Sequence, residues 1–239
     1  MKTYEITFGP MSLRYAFHYE DTPKYMRPYI NEVEGENYDI LSPLDYMEKL
    51  RPFYPESQDD AYVEYKSLIN LSSLALLKNK AVFFHAAAFR YHGKAILFTG
   101  RSGSGKTTQY KKWKAHFKNE VEMICGDMPC LVVNGNAEIE VFPSPWNGKE
   151  RIKGKVSAPL GAVIFLEQKD YNEIFALPAM EAIAPLFSQF AVDADTEEDI
   201  QSLANIADVI LKKYPVLKLY NKSDEEALQM TVAALKEYL

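Results

Sequence analysis

Residues 81–108, AVFFHAAAFRYHGKAILFTGRSGSGKTT, carry two signals side by side, and their conjunction decides the fold. The first part holds two β-rich runs joined at His92 and Gly93, a tight-turn pair whose glycine admits positive φ. The second part spaces Gly100, Gly105, Lys106 and Thr107 as G-x-x-x-x-G-K-[ST]. In that pattern backbone N–H groups cradle phosphates, the lysine neutralises outer oxygens and the hydroxyl reaches Mg²⁺. At ordinary residue frequencies these four positions coincide by accident in roughly one chain in a hundred of this length. The apolar run 95–98 ends at the loop, and residues 107–117, free of Gly and Pro, read as a helix. A strand, a loop and a helix N-terminus in that order aim amides and the positive helix end at an anion. The plain alternative, a flexible Gly/Ser linker, needs neither the strand nor the lysine.

In the commonest folds with such a loop, its strand belongs to a parallel sheet built from βαβ crossovers. Here an antiparallel hairpin leads straight into it, so the sheet is expected to be mixed. A second hairpin is read in CLVVNGNAEIEVF, residues 130–142, where Asn134 and Gly135 separate two β-rich runs. Beyond it the pattern predicts a strand over 160–166, helices over 178–190 and 196–213, a strand at VLKLY (216–220) and a terminal helix from Asp224. Upstream, residues 3–19 alternate as one or two strands, and the polar, Pro-rich stretch through Pro55 reads as extended loops. Residues 59–78 place Tyr62, Tyr65, Leu68, Ile69, Leu71, Leu74, Ala75 and Leu77 at helical intervals, with Asp59 and Asp60 suited to the start. The expected class is α/β, with a mixed, partly antiparallel sheet, a phosphate-binding loop and flanking helices. Residues 1–80 are expected to pack on a core formed by residues 81–239.

Composition narrows the function. A chain of 239 residues, 47% hydrophobic and 25% charged, can bury a full core. Its net charge of −6 gives no broad footprint for nucleic acid. No charged leader with an apolar stretch opens the sequence and no run approaches a membrane span, so a soluble, cytoplasmic protein is expected. Cys125 and Cys130 are too few for a disulfide framework and are not spaced C-x-x-C; both read as small buried hydrophobes. The oligomeric state, a homo-oligomer included, is open.

Three further places carry chemistry. Asp127 follows the short β-like run 121–125, where a carboxylate can lie beside bound phosphates and hold Mg²⁺ directly or through water. Its plain alternative is an Asp favoured by the turn before Pro129. His85, inside an apolar run, is either a hydrogen-bonded core residue or a group that orients or tunes Asp127. The segment FPSPWNGKERIKGK, residues 142–155, offers Lys149, Arg151, Lys153 and Lys155 to a phosphate or an acidic peptide, or else is a solvated basic loop. Trp146 within it is either a hydrophobic anchor or an aromatic surface near the nucleotide base.

The residues FFHAAAFRYHGKAILFTGRSGSGKTT, followed by ICGDMPCLVV, resemble the HPr kinase/phosphorylase catalytic domain and its relatives, including kinase-like enzymes of peptide-modification gene clusters. That group shares a fold with ATP-dependent phosphoenolpyruvate carboxykinase. The resemblance covers roughly residues 81–166, with a fainter echo toward the C-terminus and none in the first eighty. It implies a mixed sheet with the nucleotide at its edge. It places the nucleotide-binding loop on Gly100, Ser102, Gly103, Ser104, Gly105, Lys106, Thr107 and Thr108, and a histidine on His85. The family's acidic pair falls on Asp127 and Met128, so one carboxylate must divide or share metal binding and proton abstraction. The resemblance therefore implies an ATP- and Mg²⁺-dependent phosphotransferase acting on a hydroxyl, most plausibly of Ser or Thr in a peptide or small protein. Lys106, Asp127 and His85 would be catalytic and Thr107 and Asp127 would hold the metal, while the basic loop, read from its own charge, offers Lys149, Arg151 and Lys153 to the acceptor. The rival readings are a nucleotide-binding module without transfer activity and a kinase of a small hydroxyl metabolite.

Overall fold

The computed structural model describes residues 2–35, 39–41, 44–148, 152–222 and 224–238. From the N-terminus come β1 (Thr3–Phe8), β2 (Met11–Ala16), α1 (Pro23–Met26), β3 (Ile30–Val33), β4 (Ile40–Leu41), α2 (Leu44–Leu50) and α3 (Asp60–Leu77). The middle of the chain adds β5 (Ala81–Phe83), β6 (Ala86–Tyr91), β7 (Lys94–Thr99), α4 (Lys106–Phe117), β8 (Val121–Cys125), β9 (Cys130–Val133) and β10 (Ile139–Phe142). Last come β11 (Ala158–Gln168), β12 (Glu173–Ala176), α5 (Ala179–Phe187), α6 (Glu197–Lys213), β13 (Val216–Asn221) and α7 (Glu225–Leu235).

The main sheet runs β5-β9-β10-β11-β7-β6-β8, with β13 also on β11 and β12 outside β13. Strand β11 lies parallel to β7 and to β13, whereas the other pairs of this sheet are antiparallel. The fold is thus α/β with a mixed, largely antiparallel sheet. Its centre explains the sequence pattern: residues 160–166 are all buried, as a strand covered on both faces requires. The hairpin β6–β7 turns at His92 and Gly93 with φ of 48° and 76°, the double positive φ of a type I′ turn.

Two details correct the sequence reading. Residues 81–91 are not one strand: β5 pairs with β9, whereas β6 pairs with β7 and β8, and the chain changes partners at Phe84 and His85. Only two residues join β5 to β6, so the sheet must curl to bring two distant positions of its strand order together. The second hairpin closes on five residues rather than on Asn134–Gly135 alone. Asn134 N donates to Glu138 O at 2.8 Å, the Asn134 side chain accepts from Asn136 N and Glu138 N, and Ala137 takes the positive φ of 54°. The side chain of Asn134 supplies a local turn that a two-residue register does not need.

The stretch read as loops through Pro55 contains α1, β3, β4 and α2, and a smaller sheet in the order β3-β1-β2-β4 precedes α3. Asp59 caps α3 by accepting from Ala61 N. Ile6, Phe8 and Tyr15 of the small sheet pack with Leu68 and Leu76 of α3 and with Phe83, Cys130 and Trp146. Glu64, wholly buried on α3, accepts from the backbone N–H groups of His18 and Tyr19 at 2.8 and 3.2 Å and from the Thr22 hydroxyl. A buried carboxylate is stable there because N–H and O–H donors replace its water. Among the described residues, no helix is long and apolar enough to cross a membrane.

Candidate functional site

Strand β7 delivers the chain into a glycine-rich loop that ends at the first residue of α4, Lys106. Gly100 has φ of +137°, and a Cβ there would sit 2.8 Å from the carbonyl oxygen of Leu166, so both conformation and space require glycine. Lys106 is buried, and its Nζ donates to the carbonyl oxygens of Gly100 and Arg101 at 3.0 and 3.3 Å. Burial pushes its pKa down, and the Asp127 carboxylate offsets part of that shift. Ser102 and Gly103 are exposed on the loop, Thr107 is half-buried and Thr108 exposed on the first turn of α4. The Ser104 hydroxyl is buried without a hydrogen-bond partner among the described residues. A loop that turns on a required glycine, an orphaned hydroxyl and an ammonium resting on neutral carbonyls fit an anion with several acceptor oxygens.

A cleft of about 540 Å³ opens over this loop, lined also by Glu167, Gln168, Gln189 and Lys218. Gln168 Nε2 donates to Gly103 O at 3.2 Å and braces the loop from β11. Lys169 and Lys218 hold the Glu167 carboxyl down to about 2. On the inner side, the Thr99 hydroxyl donates to His85 O at 2.7 Å and contacts Gln189 Oε1 at 2.9 Å, while His85 N donates to Gln189 O at 2.7 Å. Residues 85, 99 and 189 therefore form one hydrogen-bonded wall.

His85 Nε2 lies 3.4 Å from Asp127 Oδ1, with both side chains about one quarter exposed. Asp127 O also accepts from Ala86 N at 2.8 Å, which fixes the carboxylate against the start of β6. On its other flank stands Gly148, φ +71°, where a Cβ would come within 3.0 Å of Asp127 Cβ. The turn bearing Gly148 is anchored from beneath. Met128 N donates to Trp146 O, the Ser144 hydroxyl to Met128 O, and Asn147 Nδ2 to Ser144 O. Trp146 is an anchor: fully buried, it stacks on Tyr65 at 6.0 Å and donates from Nε1 to Tyr65 O at 2.9 Å.

The structure brings Lys106, Asp127 and His85 into one neighbourhood and sets Ser102, Gly103 and Ser104 on the wall of the cleft. Lys149 and Arg151 lie outside the described residues. Lys153 is exposed and donates from Nζ to Arg27 O. Cys125 and Cys130 are buried free thiols whose pKa values burial raises, and among the described residues no group of three or more His, Cys, Asp or Glu could hold a metal ion. Sequence reasoning missed Thr99 and Gln189, whose roles arise from packing β7 beside the end of α5, and missed Lys66, a helical lysine that looks like any solvated one.

The fold and this site define an α/β protein with a glycine-rich loop at the end of an inner strand, β7, and an acid–histidine pair beside it. Residues 55–212 match the model of the SynChlorMet cassette protein ScmC family, and the chain belongs to that family. No curated protein matches it. Among solved structures, it is similar to the Hpr(Ser) kinase/phosphatase from Coxiella burnetii, at 10% identity over 65% of this chain and 96% of that one, with a TM-score of 0.26.

Proposed function

We propose that the protein is a Mg²⁺-dependent phosphotransferase of HPr-kinase-like type that moves the terminal phosphate of ATP to a hydroxyl, that of Ser or Thr in a peptide or small protein. The observation that carries this reading is the placement of Asp127 and His85 next to the glycine-rich loop whose lysine feels the Asp127 charge. Binding alone needs the loop; a carboxylate held beside it by a backbone hydrogen bond and a glycine-shaped space is what transfer adds.

ATP supplies the phosphoryl group, and Mg²⁺ supplies charge that neutralises it as it moves. The loop amides and Lys106 bind the phosphates, with the ammonium leaving its two carbonyls for anionic oxygens. The Thr107 hydroxyl and the Asp127 carboxylate are the oxygen ligands this chain offers the metal, and one or two such ligands suit Mg²⁺, which keeps water and phosphate for the rest. Asp127 takes the acceptor proton as the acceptor oxygen bonds the terminal phosphorus and the bond to the departing ADP breaks. His85, 3.4 Å away, steadies the carboxylate and receives that proton in turn. Met128, standing where a second carboxylate would share the work, favours one rival reading, a nucleotide-binding module without transfer.

The test is incubation of the native chain with γ-labelled ATP, Mg²⁺ and a pool of Ser- and Thr-containing peptides. Label on a peptide is expected. Nucleotide binding with no labelled product, across the peptides and a set of small hydroxyl compounds, selects the module reading instead.

A further inference from the structure

A second cleft, of about 520 Å³, lies against Asp127 and, among the described residues, shares no lining residue with the first. Gly148 forms part of its wall, and the contact of Gly148 with Asp127 described above puts the carboxylate directly behind that wall. Through Asp127 the second cleft adjoins His85 and thence Gln189 on the wall of the first. Its lining comes largely from the first eighty residues, including Tyr25 of α1 and Tyr62, Tyr65 and Lys66 of α3. Tyr25 and Tyr65 stack at 5.7 Å, with Tyr62 edge-on to Tyr25 at 5.3 Å, giving one face of the cleft an aromatic surface.

Among the described residues three lysines line this cleft, and two are already engaged. Lys24 bridges Asp21 at 3.1 Å and Asp59 at 3.0 Å, and Lys153 donates to Arg27 O. Lys66 makes no hydrogen bond or ion pair among the described residues; its Nζ stands 5.6 Å from the Tyr65 ring. Burial lowers its pKa, and Asp127 offsets part of the loss, as for Lys106. A lysine with a four-carbon stem reaches water readily from most helix positions. One retained in a cleft with no hydrogen bond or ion pair among the described residues, at a cost in desolvation, fits a site that receives an anion.

We infer that the second cleft is the acceptor site, and that Lys66 receives a carboxylate of the acceptor while the tyrosines pack the residues beside it. This rests on the phosphotransfer reading, since it is Asp127 that makes the cleft an acceptor site rather than a surface recess. The acceptor is then a peptide whose hydroxyl residue has an acidic neighbour, and selectivity resides in α1 and α3.

The experiment uses two pools of acetylated, amidated hexapeptides with a central serine, one flanked by Glu and one by Gln, titrated calorimetrically without nucleotide. The native chain is expected to bind the Glu pool about tenfold or more tightly than the Gln pool, the size of a charge-assisted hydrogen bond lost. Lys66→Met should abolish the preference and Lys66→Arg should retain part of it. Equal affinity of the native chain for both pools, binding of neither, or a preference that survives in Lys66→Met would overturn the assignment. Titration of the same native sample with Mg²⁺ and ATP separates the two claims, because failure to bind nucleotide strikes the phosphotransfer reading and leaves the peptide result to stand or fall by itself.

Discussion

Replacing Lys106 by alanine removes a buried ammonium that touches the glycine-rich loop, at 3.0 Å from Gly100 O and 3.3 Å from Arg101 O. Without nucleotide the change is nearly neutral for the fold: two neutral contacts disappear, and with them a desolvation cost large enough to lower the lysine pKa. With nucleotide the balance differs. The ammonium would exchange carbonyls for phosphate oxygens, and a hydrogen bond to a charged group contributes about 1.5–3 kcal/mol net. At about 1.4 kcal/mol per tenfold, Lys106→Ala weakens Mg²⁺–ATP binding by about 10- to 150-fold. Calorimetric titration of the native and variant chains measures this, with thermal unfolding of the free proteins as the control for folding. An affinity within about twofold of the native value, at an unchanged unfolding midpoint, would refute the assignment of the loop.

Three further outcomes follow from the geometry. Asp127→Asn keeps the Ala86 N to Asp127 O bond and hence the fold, but loses the proposed base and metal ligand; label transfer should drop by about 10²-fold or more, and His85→Gln should cost less. Parental turnover in Asp127→Asn contradicts the role. Lys66 has a native pKa depressed below 10.5 by burial, so the native state pays for its charge below that lowered value. Lys66→Met should therefore raise the unfolding midpoint near neutrality, with the advantage shrinking as pH climbs toward 10.5 and the native lysine sheds its proton before the unfolded one does; a pH-independent difference refutes this. Glu64→Ala removes the interior acceptor of two backbone N–H groups and of the Thr22 hydroxyl, which keeps only Ala61 O at 3.3 Å, a loss of about 3 kcal/mol or more and, for a chain this size, about 6 °C or more in the midpoint. An unchanged midpoint would mean that water replaces the carboxylate at no cost.

Much of this was legible because it is local. The His92–Gly93 turn, the loop ending at Lys106, and the caps at Asp59, Thr196 and Asp224 are fixed by residues within six positions of one another. Strand β11 was legible for a different reason, since burial on both faces leaves an unbroken apolar run. What was hidden depends on partners far along the chain. The change of partners at His85 is set by β9 and β8, not by the residues 81–91 themselves. Strand β12 exists because β13 offers it an edge, and its residues alternate too weakly to announce it. At the candidate site, the glycine loop and Asp127 could be read from spacing, whereas the link to Gln189 could not, because it joins residues 90 to 104 positions apart. The basic loop drew attention by its charge count. The lysine facing a cleft with no anionic hydrogen-bond partner among the described residues, Lys66, lies about eighty positions earlier, as the single lysine of α3, with no run of charge to mark it.

The central claim is that one bound nucleotide sits on the glycine-rich loop with its terminal phosphate within reach of Asp127. The most direct measurement is a crystal structure of the native chain with Mg²⁺ and a non-hydrolysable ATP analogue. The account predicts phosphates on the amides of residues 100–107, Lys106 Nζ moved from the Gly100 and Arg101 carbonyls onto phosphate oxygens, and the metal bound by Thr107 and reached by Asp127 directly or through one water. A nucleotide seated elsewhere, or an Asp127 carboxylate separated from the metal by more than a single water, would contradict it.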